Sequence, residues 1–324
     1  MIHAAIAGLG RWGRSLVEAS LNYDRLKIIR AVEPDITGAR GFCTEHRLDL
    51  TDDLGTVLAD SAIDAVLLAT PHSVHPAQVI ASAAAGKQVF CEKPLALRRA
   101  DAARMFDACR KAGIALAVGH NRRFWPSMKA LRDMVASGKL GSILHIEGHN
   151  SNENSNSVVS GWRLSPEESP GGGLTGAGLH ILDAFVSVLG PVRRVYARLN
   201  QLERGPPPLD TATMTLDFAN GVTGTLATLR ATPFYWRVHV FGTKGSAEVL
   251  DDVTLVLRMS GKTPERITCP AINVLQAELD AFVDTIEGKC TFPVAEAQVL
   301  ATLSAFEAAL QSMSCGNAVG CGAT

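Results

Sequence analysis

The chain opens on a short, mostly apolar run, His3 to Ala7, and the same pattern returns four times before residue 120. Lys27 to Val32, Ala65 to Ala69, Gln88 to Cys91 and Ala115 to Val118 each read as buried strands. Between them, Trp12 to Leu21, Pro76 to Ala85 and Arg99 to Ala112 space their apolar residues three and four apart, which predicts amphipathic helices. Apolar strands joined by helices imply a parallel sheet covered on both faces.

After Asn121 the pattern changes. A helix over Pro126 to Ser137 leads to a strand over Ile143 to His149, then to a polar stretch, Ser151 to Ser160, with four Ser and three Asn in ten residues. A further helix near Leu174 to Leu189 stops at Gly190-Pro191. From Arg194 to Met259 the chain reads as successive strands with hairpin signals. These are Asn220-Gly221 between Thr213 to Phe218 and Val222 to Leu229, Gly242 to Gly245 after Arg237 to Phe241, and Asp251-Asp252 before Thr254 to Met259. Helices over Val274 to Glu287 and Ala295 to Met313 close the fold, and the Gly-rich tail after Cys315 is expected to fray. The chain thus divides into an α/β domain over residues 1–120, a doubly wound parallel sheet, and an α+β domain over residues 121–324 with a large, mostly antiparallel sheet. The second is expected to bind substrate and to mediate self-association.

Composition agrees with two folded domains: 324 residues, 47% apolar and 19% charged, exclude disorder and fibrous repeats. The 31 basic and 32 acidic residues give a net charge of -1, evenly spread, so neither nucleic acid nor an anionic membrane is an expected partner. No apolar run approaches the roughly 18 residues of a membrane span. The seven cysteines are scattered, mostly in apolar runs and without zinc spacing, which reads as a reducing cytosol. The chain enters its first strand at once, with no basic leader, and this too places it in the cytoplasm. His145, Glu147 and His149 share one strand face, and His239 could join them, but no close third ligand completes a set, so no metal is expected.

The first strand runs straight into Gly8-Leu9-Gly10-Arg11-Trp12-Gly13 and then a helix. Glycines there allow a tight turn and a close backbone approach to a pyrophosphate seated on the helix N-terminus. Glu33 ends the second strand twenty residues later, where a carboxylate can accept hydrogen bonds from ribose hydroxyls. Strand, turn, helix and spaced acid together predict a Rossmann domain binding NAD. Arg11 and Arg40 leave NADP open.

Two further segments end strands, Thr70-Pro71-His72 with His75, and Glu92-Lys93-Pro94 after the Ala85-Gly86-Lys87 turn. With Asn121-Arg122-Arg123-Phe124, Trp162-Arg163, and Gly171-Gly172-Gly173 before His180 and Asp183, they make the chain resemble the glucose-fructose oxidoreductase, inositol dehydrogenase and rhizopine-catabolism (Gfo/Idh/MocA) family over most of its length. The resemblance implies an NAD(P)-dependent dehydrogenase of small molecules, a sugar, polyol or related cyclic alcohol, assembled as a homodimer or homotetramer. It implies Lys93 and His180 as catalytic groups, with Lys93 beside the reacting carbon and the following peptide often cis. Cofactor contacts are expected from Gly8, Leu9, Gly10, Arg11, Trp12, Gly13, Glu33, Thr70, Pro71, His72, His75, Glu92, Lys93, Arg122, Trp162 and Arg163, and Asn121 is a further cleft residue.

At one position the chain leaves the family. Where the family has a carboxylate one helical turn before the histidine, this chain has Gly176, and Asp183 lies on the opposite turn from the missing acid. Two other readings follow, a redox-neutral use of NAD in epimerisation or elimination, and a cofactor-binding sensor without turnover.

Overall fold

The computed structural model describes residues 1–152, 161–202, 210–230 and 232–322. Strands β1 (Ile2–Ala7), β2 (Leu26–Val32), β3 (Asp49–Thr51), β4 (Ala65–Leu68), β5 (Gln88–Glu92) and β6 (Leu116–Gly119) form a six-stranded sheet in the order β3-β2-β1-β4-β5-β6, every pair parallel. Helices α1 (Arg11–Ser20), α2 (Ile36–His46), α3 (Leu54–Ala59), α4 (His75–Ala84) and α5 (Arg99–Ala112) make the crossovers. This is the doubly wound order that places a ligand crevice at the carboxyl ends of the strands. Ile6, Leu67, Leu68 and Phe90 are wholly buried, as strands covered on both faces require.

The sequence pattern missed α2, β3 and α3. Only Ala39 and Cys43 of α2 are buried, and Gly38 and Gly41 interrupt its apolar stripe, so periodicity is weak. Caps set these helices instead: Asp35 Oδ1 accepts from Gly38 N at 2.9 Å, and Asp53 accepts from Gly55 and Thr56.

Beyond the sheet come α6 (Pro126–Ala136), β7 (Ile143–Asn152), a π-helical turn over Leu174–Gly178, α7 (Leu179–Leu189) and the strands β8 (Val192–Gln201), β9 (Asp210–Phe218), β10 (Thr223–Arg230), β11 (Tyr235–Gly242), β12 (Gly245–Val249), β13 (Thr254–Met259) and β14 (Glu265–Thr268). Helices α8 (Val274–Ile286) and α9 (Glu296–Cys315) and a two-residue strand β15 (Val319–Gly320) follow. The nine strands order as β14-β13-β12-β11-β7-β10-β9-β8-β15, antiparallel except for β7 with β10. Burial alternates along β9 and β10, so one face packs on helices and the other is open. Gly148 is the closest point of that packing. A Cβ there would overlap the Ile181 methyl and stand 2.7 Å from the Phe185 ring, so glycine alone lets α7 lie on β7.

One sequence expectation needs correction. The tail over residues 316–322 is ordered: β15 pairs with β8, Ser312 Oγ donates to Asn317 O at 2.6 Å, and Cys321 N donates to Arg193 O at 2.9 Å. The sequence pattern puts its domain boundary after residue 120. The compact units are Met1–Asn121 with Asn273–Ala295, and Arg122–Ile272 with Glu296–Thr324. Helix α8 therefore returns to the parallel sheet's unit. Its Phe282 ring lies 5.8 Å from that of Phe90, Tyr23 Oη donates to Asp280 at 2.6 Å, and Arg25 bridges Asp284 and Glu287.

Of these contacts the buried ring should dominate, because exposed ion pairs contribute little. Phe282→Ala is expected to cost about 3–5 kcal/mol of stability, and Arg25→Ala less than about 1 kcal/mol. Urea unfolding of both variants checks this, and equal costs would contradict it.

Candidate functional site

Register places the first group of site residues. Ala7 pairs with Val32 and with Leu68, and Leu68 with Cys91, forming one row across four strands. The residues that follow this row, Gly8, Glu33, Ala69 and Glu92, therefore share one rim at the carboxyl ends. The rim is held tightly. Gly8 has φ of 89°, and a Cβ on it would stand 2.6 Å from Ala69 O; a Cβ on Gly13 would overlap the Gly8 carbonyl. Gly10 differs, since a Cβ there meets nothing within 4 Å.

This rim fits a dinucleotide. Helix α1 starts at Gly10 without a side-chain cap, so its first-turn N–H groups point outward at the positive end of the helix dipole. Glu33 Oε2 accepts from Leu9 N at 2.7 Å, which ties the acid to the glycine turn and fixes where it stands. Arg14 lies over the Phe42 ring at 4.8 Å and donates from Nε to Leu9 O at 3.0 Å, while Arg11 lies 5.4 Å from the Trp12 ring.

Next along the rim, Thr70 Oγ1 donates to Gln78 Oε1 at 2.6 Å, and Pro71 leads into a 3-10 turn over His72–Val74. His72 is buried, its ring 6.0 Å from that of His75. His75 is fully buried, with Nε2 3.0 Å from Thr70 O and Nδ1 3.0 Å from Pro94 O. Glu92 is buried and accepts from Lys93 N at 3.3 Å; Gly119 makes room for it, since a Cβ there would press on the carboxyl at 3.0 Å. The Lys93-Pro94 peptide is cis, and Lys93 is half-buried. Lys87 of the Ala-Gly-Lys turn has a structural task, donating to Asp60 O at 2.7 Å and Ile63 O at 2.8 Å.

The second unit carries the rest. Asn121–Phe124 form a 3-10 turn. Arg122 stacks on Trp125 at 4.1 Å and Trp236 at 5.3 Å. Arg123 grips Asp183 of α7 through Nε and Nη2 at 2.7 and 2.8 Å, with the pair almost wholly buried, and its Nη1 donates to Gln298 at 2.7 Å. Both Asp183 oxygens are thus engaged by Arg123. Arg132 donates to Arg123 O at 2.7 Å, and burial, with the neighbouring Arg123 charge, lowers its pKa to about 10. Trp162 and Arg163 form a stacked pair at 4.2 Å. His180 is buried on the first turn of α7, and Gly176 lies in the exposed part of the π-helical turn, where a Cβ meets no described atom within 4 Å. Within the polar stretch Ser151 to Ser160, residues 153–160 lie outside the described residues.

Sequence reasoning missed two groups that shape this turn. Asn150 Nδ2 donates to Ala177 O at 2.9 Å. Asp210, fully buried and ion-paired with Arg230, accepts from Gly173 N at 3.2 Å and fills the space a Cβ on Gly172 would need. A signal for the second existed in the triglycine, since adjacent glycines with φ of 79° and 58° imply something packed hard against the turn.

His145, Glu147, His149 and His239 lie on the open face of the nine-stranded sheet. Glu147 pairs with Arg237 at 2.6 Å, and His145 Nδ1 lies 2.7 Å from Thr223 Oγ1. Among the described residues no group of three His, Cys, Asp or Glu side chains is placed to hold a metal ion. Glu147, His149, Tyr196, Thr213, Thr215 and Arg237 line a depression of about 390 Å³ on this face. Burial holds His149 and His239 below the ordinary histidine pKa.

Two outcomes follow. With Glu33 fixed at the rim, a 2'-phosphate would meet like charge, so NAD should bind about tenfold or more tightly than NADP. Glu33→Ala should narrow the gap in titration calorimetry, and equal wild-type affinities would sink the idea. Burial makes His239 harder to protonate in the folded chain than in the unfolded one, whose imidazole takes up a proton as pH falls through about 6.5. The penalty is thus absent above neutrality and grows in acid, so His239→Leu should lose less melting temperature between pH 7 and pH 5 than wild type. An identical loss would contradict this.

Comparison with known proteins supports the geometry. The oxidoreductase family model with an NAD-binding Rossmann fold matches residues 2–120, and the GFO/IDH/MocA C-terminal domain matches residues 128–248. The chain is 30% identical to the 2,7-anhydro-N-acetylneuraminate hydratase of Escherichia coli over 81% of this chain and 72% of that one. It is 31% identical to the myo-inositol 2-dehydrogenase of Thermotoga maritima over 78% and 77% respectively. A solved levoglucosan dehydrogenase in complex with NADH and levoglucosan shares the fold with a TM-score of 0.87, at 22% identity over 99% of this chain and 100% of that one. No described helix is long and apolar enough to cross a membrane. The chain belongs to the GFO/IDH/MocA family of NAD-binding oxidoreductases.

Proposed function

We propose that the protein is a dehydrogenase that moves a hydride between NAD and the carbinol carbon of a secondary alcohol on a sugar, polyol or related cyclic compound. The observation that carries this reading is the rim: the turn ending in Lys93 follows the same strand row as Gly8 and Glu33. When bound, the nicotinamide supplies the hydride acceptor or donor. The protein aligns the reacting carbon and manages one proton. In the oxidative direction the alcohol O–H proton passes to the protein as the C–H hydride leaves, giving a carbonyl. Lys93 hydrogen-bonds the reacting oxygen and handles the proton largely unaided, with His180 a secondary proton donor or acceptor. The inositol dehydrogenase relative and the levoglucosan dehydrogenase fold neighbour support a cyclic, hydroxylated substrate. All seven cysteines are unpaired, in keeping with a reducing compartment, and the open sheet face, bearing the exposed Tyr196 and Tyr235, is the surface we assign to self-association.

A second reading is a redox-neutral reaction in which the hydride withdrawn from substrate is returned within the turnover. The hydratase relative favours it, as does the glycine at position 176, where the family has a carboxylate. NADH accumulating during turnover supports the dehydrogenase; product formed without it supports the second reading.

Lys93→Met should lower kcat by about 10² to 10⁴ while NAD affinity stays within a few-fold, because proton management belongs to the transition state. A near-normal kcat would remove Lys93 from the mechanism. A Cβ at Gly176 meets no described atom within 4 Å, so an introduced aspartate has room to begin its side chain. Gly176→Asp is expected to weaken an acidic substrate and spare neutral polyols, and His180→Asn to cost much less than Lys93→Met. Equal damage from His180→Asn and Lys93→Met would mean that His180 works with some other acid.

A further inference from the structure

Among the rim side chains, His75 is distinguished by what surrounds its two ring nitrogens. Both stand 3.0 Å from main-chain carbonyl oxygens, Thr70 O on the turn after β4 and Pro94 O on the turn after β5. A carbonyl oxygen only accepts. A neutral imidazole carries one N–H, so it could bond one of these oxygens while its other lone pair faced the second. Both contacts are hydrogen bonds only when both nitrogens are protonated. The ring is wholly buried, where such donors are strong when satisfied and costly when not. The same unit uses this arrangement elsewhere, since the buried ammonium of Lys87 donates to the carbonyls of Asp60 and Ile63. The two carbonyls His75 reaches belong to the turns that carry Thr70-Pro71-His72 and Glu92-Lys93-Pro94, and Pro94 is bonded directly to Lys93.

Resting on the dehydrogenase reading, we propose that His75 is a positioning residue for Lys93: a buried imidazolium that clamps the turn after β4 to the turn after β5 and so fixes the main chain from which the Lys93 ammonium reaches the reacting oxygen. His75, expected from the resemblance to contact the cofactor, is in this account wholly buried and touches neither substrate nor NAD. It acts only through the Pro94 carbonyl, so its loss should be felt in turnover and not in dinucleotide affinity, which rests on the glycine turn at the other side of the rim.

The test is a double-mutant cycle between His75 and Lys93, with NAD affinity by calorimetry and Lys93 reactivity toward an amine-acylating reagent read by mass spectrometry. His75→Gln keeps a donor for one carbonyl and is expected to lower kcat about tenfold in wild type and less than twofold in Lys93→Met, with NAD affinity unchanged and Lys93 labelled at an altered rate. Equal fold-losses in both backgrounds, or unchanged Lys93 labelling in folded His75→Gln, would overturn the proposal. If Lys93→Met itself retains full turnover, the dehydrogenase reading of Lys93 fails first, and the labelling result still decides whether His75 governs that side chain. Should His75→Gln not fold, ring nitrogen NMR of the wild-type protein at pH 7 decides: both His75 nitrogens protonated supports the clamp, and a single ring proton overturns it.

Discussion

The turn between β1 and α1 is so tightly packed that its shape leaves almost no freedom to the rest of the first unit. Gly8 lies against Ala69 at the end of β4, and Gly13 against the carbonyl of Gly8. A side chain at either place would push helix from strand or strand from strand. Because β4 pairs with β5 in strict register, fixing that contact also fixes the turns after Leu68 and after Glu92. The dinucleotide seat, the carboxylate of Glu33 and the peptide carrying Lys93 are therefore consequences of one close backbone contact and a parallel ladder.

The second unit solves its positioning problem with buried charge. Helix α7 lies on β7 because Gly148 has no side chain, and Asp183 on that helix is gripped by Arg123, both nearly free of solvent. Removing one member of such a pair leaves the other charge buried, which costs about 3–5 kcal/mol, so the pair resists displacement. Asp210 with Arg230 does the same for the triglycine turn ahead of Gly176 and His180. These groups hold the helix that presents His180. At Gly176, by contrast, an added Cβ would meet no described atom within 4 Å.

The sequence pattern was most legible where burial is complete. The strands around Ile6, Leu67 and Phe90 could be read from apolar runs alone, and Asn220-Gly221 marked its hairpin, with Gly221 at φ of 87°. Helices α2 and α3 were not legible, because caps at Asp35 and Asp53 define them and their buried stripes are one or two residues wide. The return of α8 to the first unit was hidden too. It depends on Phe282 meeting Phe90 and on Asp280 and Asp284 meeting Tyr23 and Arg25, contacts spanning most of the chain. Among the candidate site residues, Glu33, Lys93 and the glycines stand out in the sequence because each follows a strand. Arg123 with Asp183, and Asp210 with Arg230, were not readable as pairs, since neither spacing nor periodicity tells which buried charges meet.

Gly10 offers the most direct test of the central claim, that the β1–α1 turn seats NAD. Its backbone is extended at φ of -65° and ψ of -175°, and an added methyl meets no protein atom within 4 Å, so Gly10→Ala should fold and melt like wild type. The methyl would instead stand where the pyrophosphate must approach the backbone. Calorimetric titration of NAD into Gly10→Ala is predicted to show affinity reduced by about tenfold or more at unchanged melting temperature. Wild-type NAD affinity in a correctly folded Gly10→Ala protein would contradict the account.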